Sequence, residues 1–288
     1  MATRTGKMDS HTGEILSKIV FSITLPAAII HAFGAAEFTY RLLLLVPLGV
    51  ACTAGPYALI FLATLRSSER DRLLYLLNGI GYNIGNFALA FVQAFFPAST
   101  LVAACMFDAG NALMVTGGQY AITKVLVGHE LDEHPVRHIF RKLFSSVPFD
   151  TYLVLIALSC AGVRIPSEVV QFSEPMANAN AFLSMFMLGL MVRFSVSTES
   201  LGKMARLLGA RLAMAVVMSL LVFELLPFEL VVRCMVVTLL WAPVGSLGPV
   251  FTLWAGADHG LAGLINTVSI GIGVIAMTAC VVAFGPTL

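Results

Sequence analysis

Apolar residues run through this chain in blocks too long and too unbroken for amphipathic helices, with short polar stretches between them. A bilayer core takes about 20 mostly apolar residues per helix. By that window the chain predicts nine membrane spans, at roughly 15–35, 41–65, 73–96, 98–126, 148–165, 169–193, 204–226, 229–256 and 259–285. Two of these blocks are interrupted. The third reads Gly79-Ile-Gly-Tyr-Asn83-Ile-Gly85-Asn86-Phe-Ala-Leu-Ala90-Phe91, and the eighth reads Trp241-Ala-Pro243-Val-Gly245-Ser246-Leu-Gly248-Pro249-Val-Phe251. Gly, Pro and Asn inside a membrane helix free backbone N–H and C=O groups that lipid cannot satisfy. Such breaks persist only beside buried protein or a water-filled cavity. Gly85 and Gly245 stand 160 positions apart, and so do Phe91 and Phe251.

Composition agrees with the pattern. The chain is 58 % hydrophobic and 11 % charged, with a mean hydropathy of +0.91, where soluble domains carry about 25 % charged residues. An integral membrane protein is implied. A net charge of +1 gives no footing for nucleic acid. The five cysteines lie in or beside apolar stretches without paired spacing, so free buried thiols are expected and no disulfide framework. No pattern asks for a cofactor or a metal. The string His129-Glu-Leu-Asp-Glu-His134 is one residue too long for the HExxH zinc motif.

Charge placement orients the spans. With a cytoplasmic N-terminus, inside segments carry Arg4, Lys7, Lys18, Arg66, Arg70, Arg72, Lys124, Arg137, Arg141, Lys142, Arg193, Lys203 and Arg206. Outside segments hold only Arg41, Arg164 and Arg233, and Arg211 lies near enough to the inner end of its span to snorkel. Such asymmetry predicts N-terminus in and C-terminus out, in the cell membrane. The longest polar stretch reads as a solvated connector and divides the chain. Residues 1–126 form one repeat, 127–147 the connector and 148–288 a second repeat.

Superposing the interrupted blocks matches the third span to the eighth, an odd offset, so the two halves run oppositely through the membrane. That is an inverted repeat, whose paired broken helices point to a transporter's substrate site. The fold expected is all-α and polytopic, a five-plus-five-like secondary transporter with crossed broken helices. The first repeat holds four spans against five in the second.

Several strings, taken in order, resemble the auxin efflux carrier family, which includes bacterial dicarboxylate (malate and malonate) permeases and plant auxin exporters. Lys18-Ile-Val-Phe-Ser-Ile-Thr-Leu25-Pro26 is similar to the family's second helix, and Asn83-Ile-Gly-Asn-Phe-Ala-Leu to its fourth. Ala177-Asn-Ala-Asn-Ala-Phe-Leu with Leu188-Gly189-Leu190 is similar to its seventh, and Ala242-Pro243-Val-Gly-Ser to its ninth. The resemblance implies ten helices, of which the fourth and ninth unwind and cross at mid-membrane. It also implies a homodimer, and a scaffold half formed by helices one, two, six and seven. Two departures stand out. Where the family has proline seven residues after the asparagine of its fourth helix, this chain has Ala90. No helix precedes Gly6-Lys7-Met8-Asp9, from which a nine-helix variant or a late start is expected.

The chemistry expected of the breaks is anion binding. Half-helix N-termini offer free N–H groups and partial positive charge to a carboxylate. Asn83, Gly85 and Asn86 from one arm, with Gly245, Ser246 and Pro249 from the other, are the candidate contacts for a small organic anion. Asp108 is the one carboxylate well inside a span, and Asn111 shares its face at i+3. Proton coupling, orientation of the crossover, and a neutral structural acid are the readings open for that pair. Asn178 and Asn180 are expected to hydrogen-bond helices rather than touch substrate. The alternatives to a transporter are a non-transporting or sensor-like remnant and an intramembrane enzyme. The second lacks a legible nucleophile–base pair or ligand set.

Overall fold

The computed structural model describes residues 15–16, 18–35, 39–127, 144, 147–191 and 201–285, which are helical with connecting turns and no strand among them. A π-type stretch, Val20–Thr24, leads into α1 (Leu25–Ala35), and a 3-10 turn, Tyr40–Leu44, into α2 (Leu45–Ala63). Then come α3 (Glu69–Asn78), a π-type stretch Ile84–Ala88 with α4 (Leu89–Phe95), α5 (Ala98–Leu113), and α6 (Gln119–Val127). The second part holds α7 (Val147–Cys160), α8 (Ser167–Met191), α9 (Leu201–Leu225), α10 (Leu230–Leu240), α11 (Gly248–Trp254) and α12 (His259–Phe284). The connector and its histidines lie outside the described residues, except at 127, 144 and 147.

Helix starts follow local chemistry. Ser68 accepts from the Asp71 N–H at the head of α3, and Asp258 accepts from the Leu261 N–H at the head of α12. Each predicted span coincides with a helix or a pair of helices. Among the described residues, four helices are long and apolar enough to cross a membrane: Tyr40–Ala63, Ser99–Val127, Leu201–Leu225 and His259–Phe284. The others fall short for physical reasons. The first is a shorter apolar helix, Val20–Gly34; two are split at the interrupted blocks, α7 has 14 residues, and α8 dilutes its apolar residues with glutamates and asparagines.

Burial separates core from perimeter. Within Ser99–Val127, 83 % of the apolar window is buried, against 17 % for α12, so α5 is the axis of the molecule. Leu101 to Phe107 on α5 are each at most 2 % exposed. The helices pack as two groups. One comprises α1, α7 and α8; the other comprises α2, α3 to α6 and α9 to α12. They meet where α1 lies on α5 and where α8 lies on α4.

A polar seam closes that second contact. Thr24 donates to Asn180 Oδ1 at 2.7 Å, Asn180 Nδ2 donates to Gln93 Oε1 at 3.0 Å, and Gln93 Nε2 donates to the Ala177 carbonyl at 2.6 Å. Asn180 is buried and bonds helices, while Asn178 is exposed. Small residues let α2 lie directly on α5. A Cβ on Gly49 would stand 2.1 Å from the Phe107 carbonyl oxygen, and one on Gly110 2.0 Å from that of Val46. Close backbone approach of this kind is the usual device for packing helices in lipid. It turns Asp108 and Asn111 away from α2, toward the interrupted blocks.

Candidate functional site: the crossing of two broken helices

The first break opens where α3 ends. Gly79 caps the helix, Gly81 takes a left-handed φ of 76°, and the chain resumes helical form at Ile84. Only glycine adopts that backbone without strain. The second break opens after Leu240 and closes at Gly248, with Pro249 in the first turn of α11, where its missing N–H costs nothing. The two breaks touch. The Asn83 N–H donates to the Pro243 carbonyl at 2.9 Å. Asn86 Nδ2 donates to Ser246 Oγ at 3.1 Å. Val115 is wedged between them, since Cβ atoms on Gly81 and Gly245 would lie 2.5 and 2.7 Å from its two methyls.

Every freed backbone group must find a partner, and side chains supply them from the flanking helices. Asn111 on α5 serves the first break. Its Oδ1 accepts from the Tyr82 N–H at 3.0 Å, and its Nδ2 donates to the Tyr82 carbonyl at 2.9 Å and to Asp108 Oδ1 at 2.9 Å. On α12, Ser269 Oγ accepts from the Val244 N–H at 3.1 Å, while Asn266 Nδ2 donates to the Val244 carbonyl at 3.2 Å. Arg211 on α9 donates to the carbonyls of Ala242 at 2.9 Å and Pro243 at 3.2 Å. Instead of snorkelling to the inner surface, it turns inward onto the breaks.

A cavity of about 240 Å³ opens against the crossing. That is below the ~300–1,000 Å³ of sites for drug-sized ligands, which suits a metabolite of a few heavy atoms. Six of the candidate residues line it: Asn83, Gly85, Asn86, Ser246, Asp108 and Asn111. Gly245 and Pro249 do not. Gly245 packs on Val115, and Pro249 belongs to the first turn of α11. The opposite wall is Pro148, Phe149 and Tyr152 of α7, so the cavity lies between the two packed groups. Asp108 is 5 % exposed and Tyr152 1 %. Both side chains line the cavity, Asp108 from one packed group and Tyr152 from the other.

Sequence reasoning did not reach Arg211, Tyr152, Asn266 or Ser269. A signal for the last two was present, as polar residues at i and i+3 in an otherwise apolar helix. Near the starts of α3 and α9, the Lys203 ammonium hydrogen-bonds Asp71 and holds its carboxyl below the ordinary carboxylate range.

Fold and site together describe an all-helical membrane protein with a small polar cavity where two interrupted helices meet. No protein-family model matches the chain, and no curated protein matches it in sequence.

Proposed function

We propose that this protein is a secondary transporter of the auxin efflux carrier type, which moves a small organic anion across the cell membrane by alternating access at the crossing. One observation carries the reading. Asn86 and Ser246, separated by 160 positions, bond each other, and Asn83 and Pro243, with the same separation, do so through their backbones. A two-fold axis lying in the membrane plane brings equivalent residues of two inverted repeats together where it passes between them. Equivalent residues meeting twice at the breaks is what that symmetry requires. The grouping of α1, α7 and α8 against the rest corresponds to the scaffold and moving halves of such a transporter.

The chemistry of the cavity favours a carboxylate. Ile84–Phe95 turns its N-terminal end to the cavity, with N–H groups that lack intrahelical acceptors. Asn83, Asn86 and Ser246 add donors without adding charge, which permits release as well as binding. Asp108 faces the same space, and an ionised carboxylate there repels an anion. Entry of the anion therefore goes with a proton on Asp108. Orientation with the N-terminus inside and the C-terminus outside follows from the basic residues.

The test is uptake of labelled dicarboxylates and aromatic carboxylates into vesicles containing the purified protein. Saturable uptake of one class, lost in Asn83→Ala, supports the reading. Absence of any anion flux, or an Asn83→Ala variant that transports normally, defeats it.

A further inference from the structure

We propose that Arg211 is a positioning residue for the crossing: its guanidinium ties the carbonyl ends of α3 and α10 together and so sets where the two breaks meet. Both helices end with their C-termini directed at the same point. Gly79 caps α3, and Ala242 and Pro243 follow α10. A helix C-terminus presents unpaired carbonyls and about half a negative charge, so two of them converging in a low-dielectric interior repel unless a cation stands between them. Arg211 Nη2 donates to the Ala242 and Pro243 carbonyls at 2.9 and 3.2 Å, and Nη1 reaches the Gly79 carbonyl at 3.5 Å. Its guanidinium carbon lies 5.0 Å from the centroid of the Tyr82 ring, in the first break. A guanidinium keeps its charge under all ordinary conditions and carries its donors in a rigid fork, so it spans three acceptors where an ammonium spans fewer.

The Pro243 carbonyl is the joint. It accepts from Arg211 and also from the Asn83 N–H, the bond that links the two breaks. Arg211 does not line the cavity at the crossing. It faces a smaller pocket bounded by Leu208, Trp241, Ser269 and Gly273. Its influence on Asn83 and Ser246 therefore passes through the backbone it holds. The helix that carries it is anchored as well. Lys203 bonds Asp71 at the start of α3, and that pair has the same separation, 132 positions, as Arg211 and Gly79. So α9 is tied to α3 at both ends of α3 by its own side chains with the same offset, which delivers the cation to the break at a fixed position.

This inference needs no substrate and stands apart from the transport reading. Its test uses the full chain in detergent, with native cysteines replaced by alanine and Asn86→Cys and Ser246→Cys added at the crossing. Linking of the two thiols by a short bifunctional maleimide is measured with arginine, lysine, methionine or glutamine at position 211. A second chain that retains Cys160 and carries Tyr40→Cys is the control; the Tyr40 hydroxyl bonds the Cys160 backbone carbonyl, and neither residue lines the cavity at the crossing. Arg211→Met and Arg211→Gln are expected to lower linking at the crossing severalfold while the control yield holds, and Arg211→Lys to recover part of the loss, because it restores the charge without the fork. Running both neutral variants keeps the test intact if one misfolds. Unchanged linking at the crossing overturns the proposal. So does an equal fall in both pairs, or a lysine variant no better than methionine.

Discussion

The Asn83 N–H and the Pro243 carbonyl, 2.9 Å apart, join two backbone breaks that lie on opposite sides of the chain's polar connector. Each residue is the one its helix cannot accommodate. Asn83 sits where the first helix is unwound, and Pro243, which has no N–H, follows the end of the second. The freed carbonyl of one break satisfies the freed N–H of the other. This bond adds to the partners that Asn111, Ser269, Asn266 and Arg211 supply to the freed backbone.

Asn111 should be the residue on which the first break depends most. Its side chain serves both the N–H and the carbonyl of buried Tyr82. Asn111→Leu keeps the volume and removes both partners. At about 1–3 kcal/mol for each of the two orphaned buried groups, the loss should reach about 2–6 kcal/mol. Unfolding in mixed micelles measures it, and a loss under about 1 kcal/mol would mean that water replaces the amide.

Gly110→Ala should reverse a familiar sign. In a helix interior alanine ordinarily stabilises by about 1 kcal/mol over glycine. Here the new methyl would stand 2.0 Å from the Val46 carbonyl oxygen and push α2 off α5. Destabilisation of about 1–3 kcal/mol is expected. A more stable Gly110→Ala protein would contradict the close packing of these helices.

The Asp71–Lys203 pair gives a pH dependence. The Lys203 hydrogen bond holds the Asp71 carboxyl below its ordinary range. A carboxyl depressed on folding contributes stability that is present above its unfolded value and is lost as pH falls through its folded value. Both side chains are partly exposed, so the contribution is small, about 0.2–1 kcal/mol. Asp71→Asn should be less stable than the parent at neutral pH. The difference should vanish in acid below the carboxylate range. A difference that persists there would assign the effect to something other than the ion pair.

The helices and both breaks were legible, the breaks because Gly, Asn and Pro in an apolar run leave a visible mark, as at Gly79 to Asn86. The meeting of Asn86 with Ser246 was legible as an equal spacing, though not as a contact. Arg211 was not legible. On one helix it reads as a residue near the membrane surface, and only the fold places it against Ala242 and Gly79. Phe149 and Tyr152 were hidden for a related reason. On a helix as uniformly apolar as α7 the pattern does not mark which side faces protein.

Asp108 should make transport sensitive to acid. If the anion enters with a proton on that carboxyl, initial uptake rises as pH falls. Asp108→Asn, a mimic of the protonated form, should transport at a rate that no longer follows pH. A pH profile unchanged by Asp108→Asn would remove the carboxyl from the coupling.

The central claim is that the two breaks form one transport site, and a double-mutant cycle on initial uptake rates tests it. Asn86→Ala and Ser246→Ala are measured singly and together in vesicles with the transported carboxylate. The account predicts that each single change slows uptake severalfold and that the double variant is little slower than either, a coupling of about 1 kcal/mol or more. Effects that multiply independently, or rates untouched by either change, would contradict it.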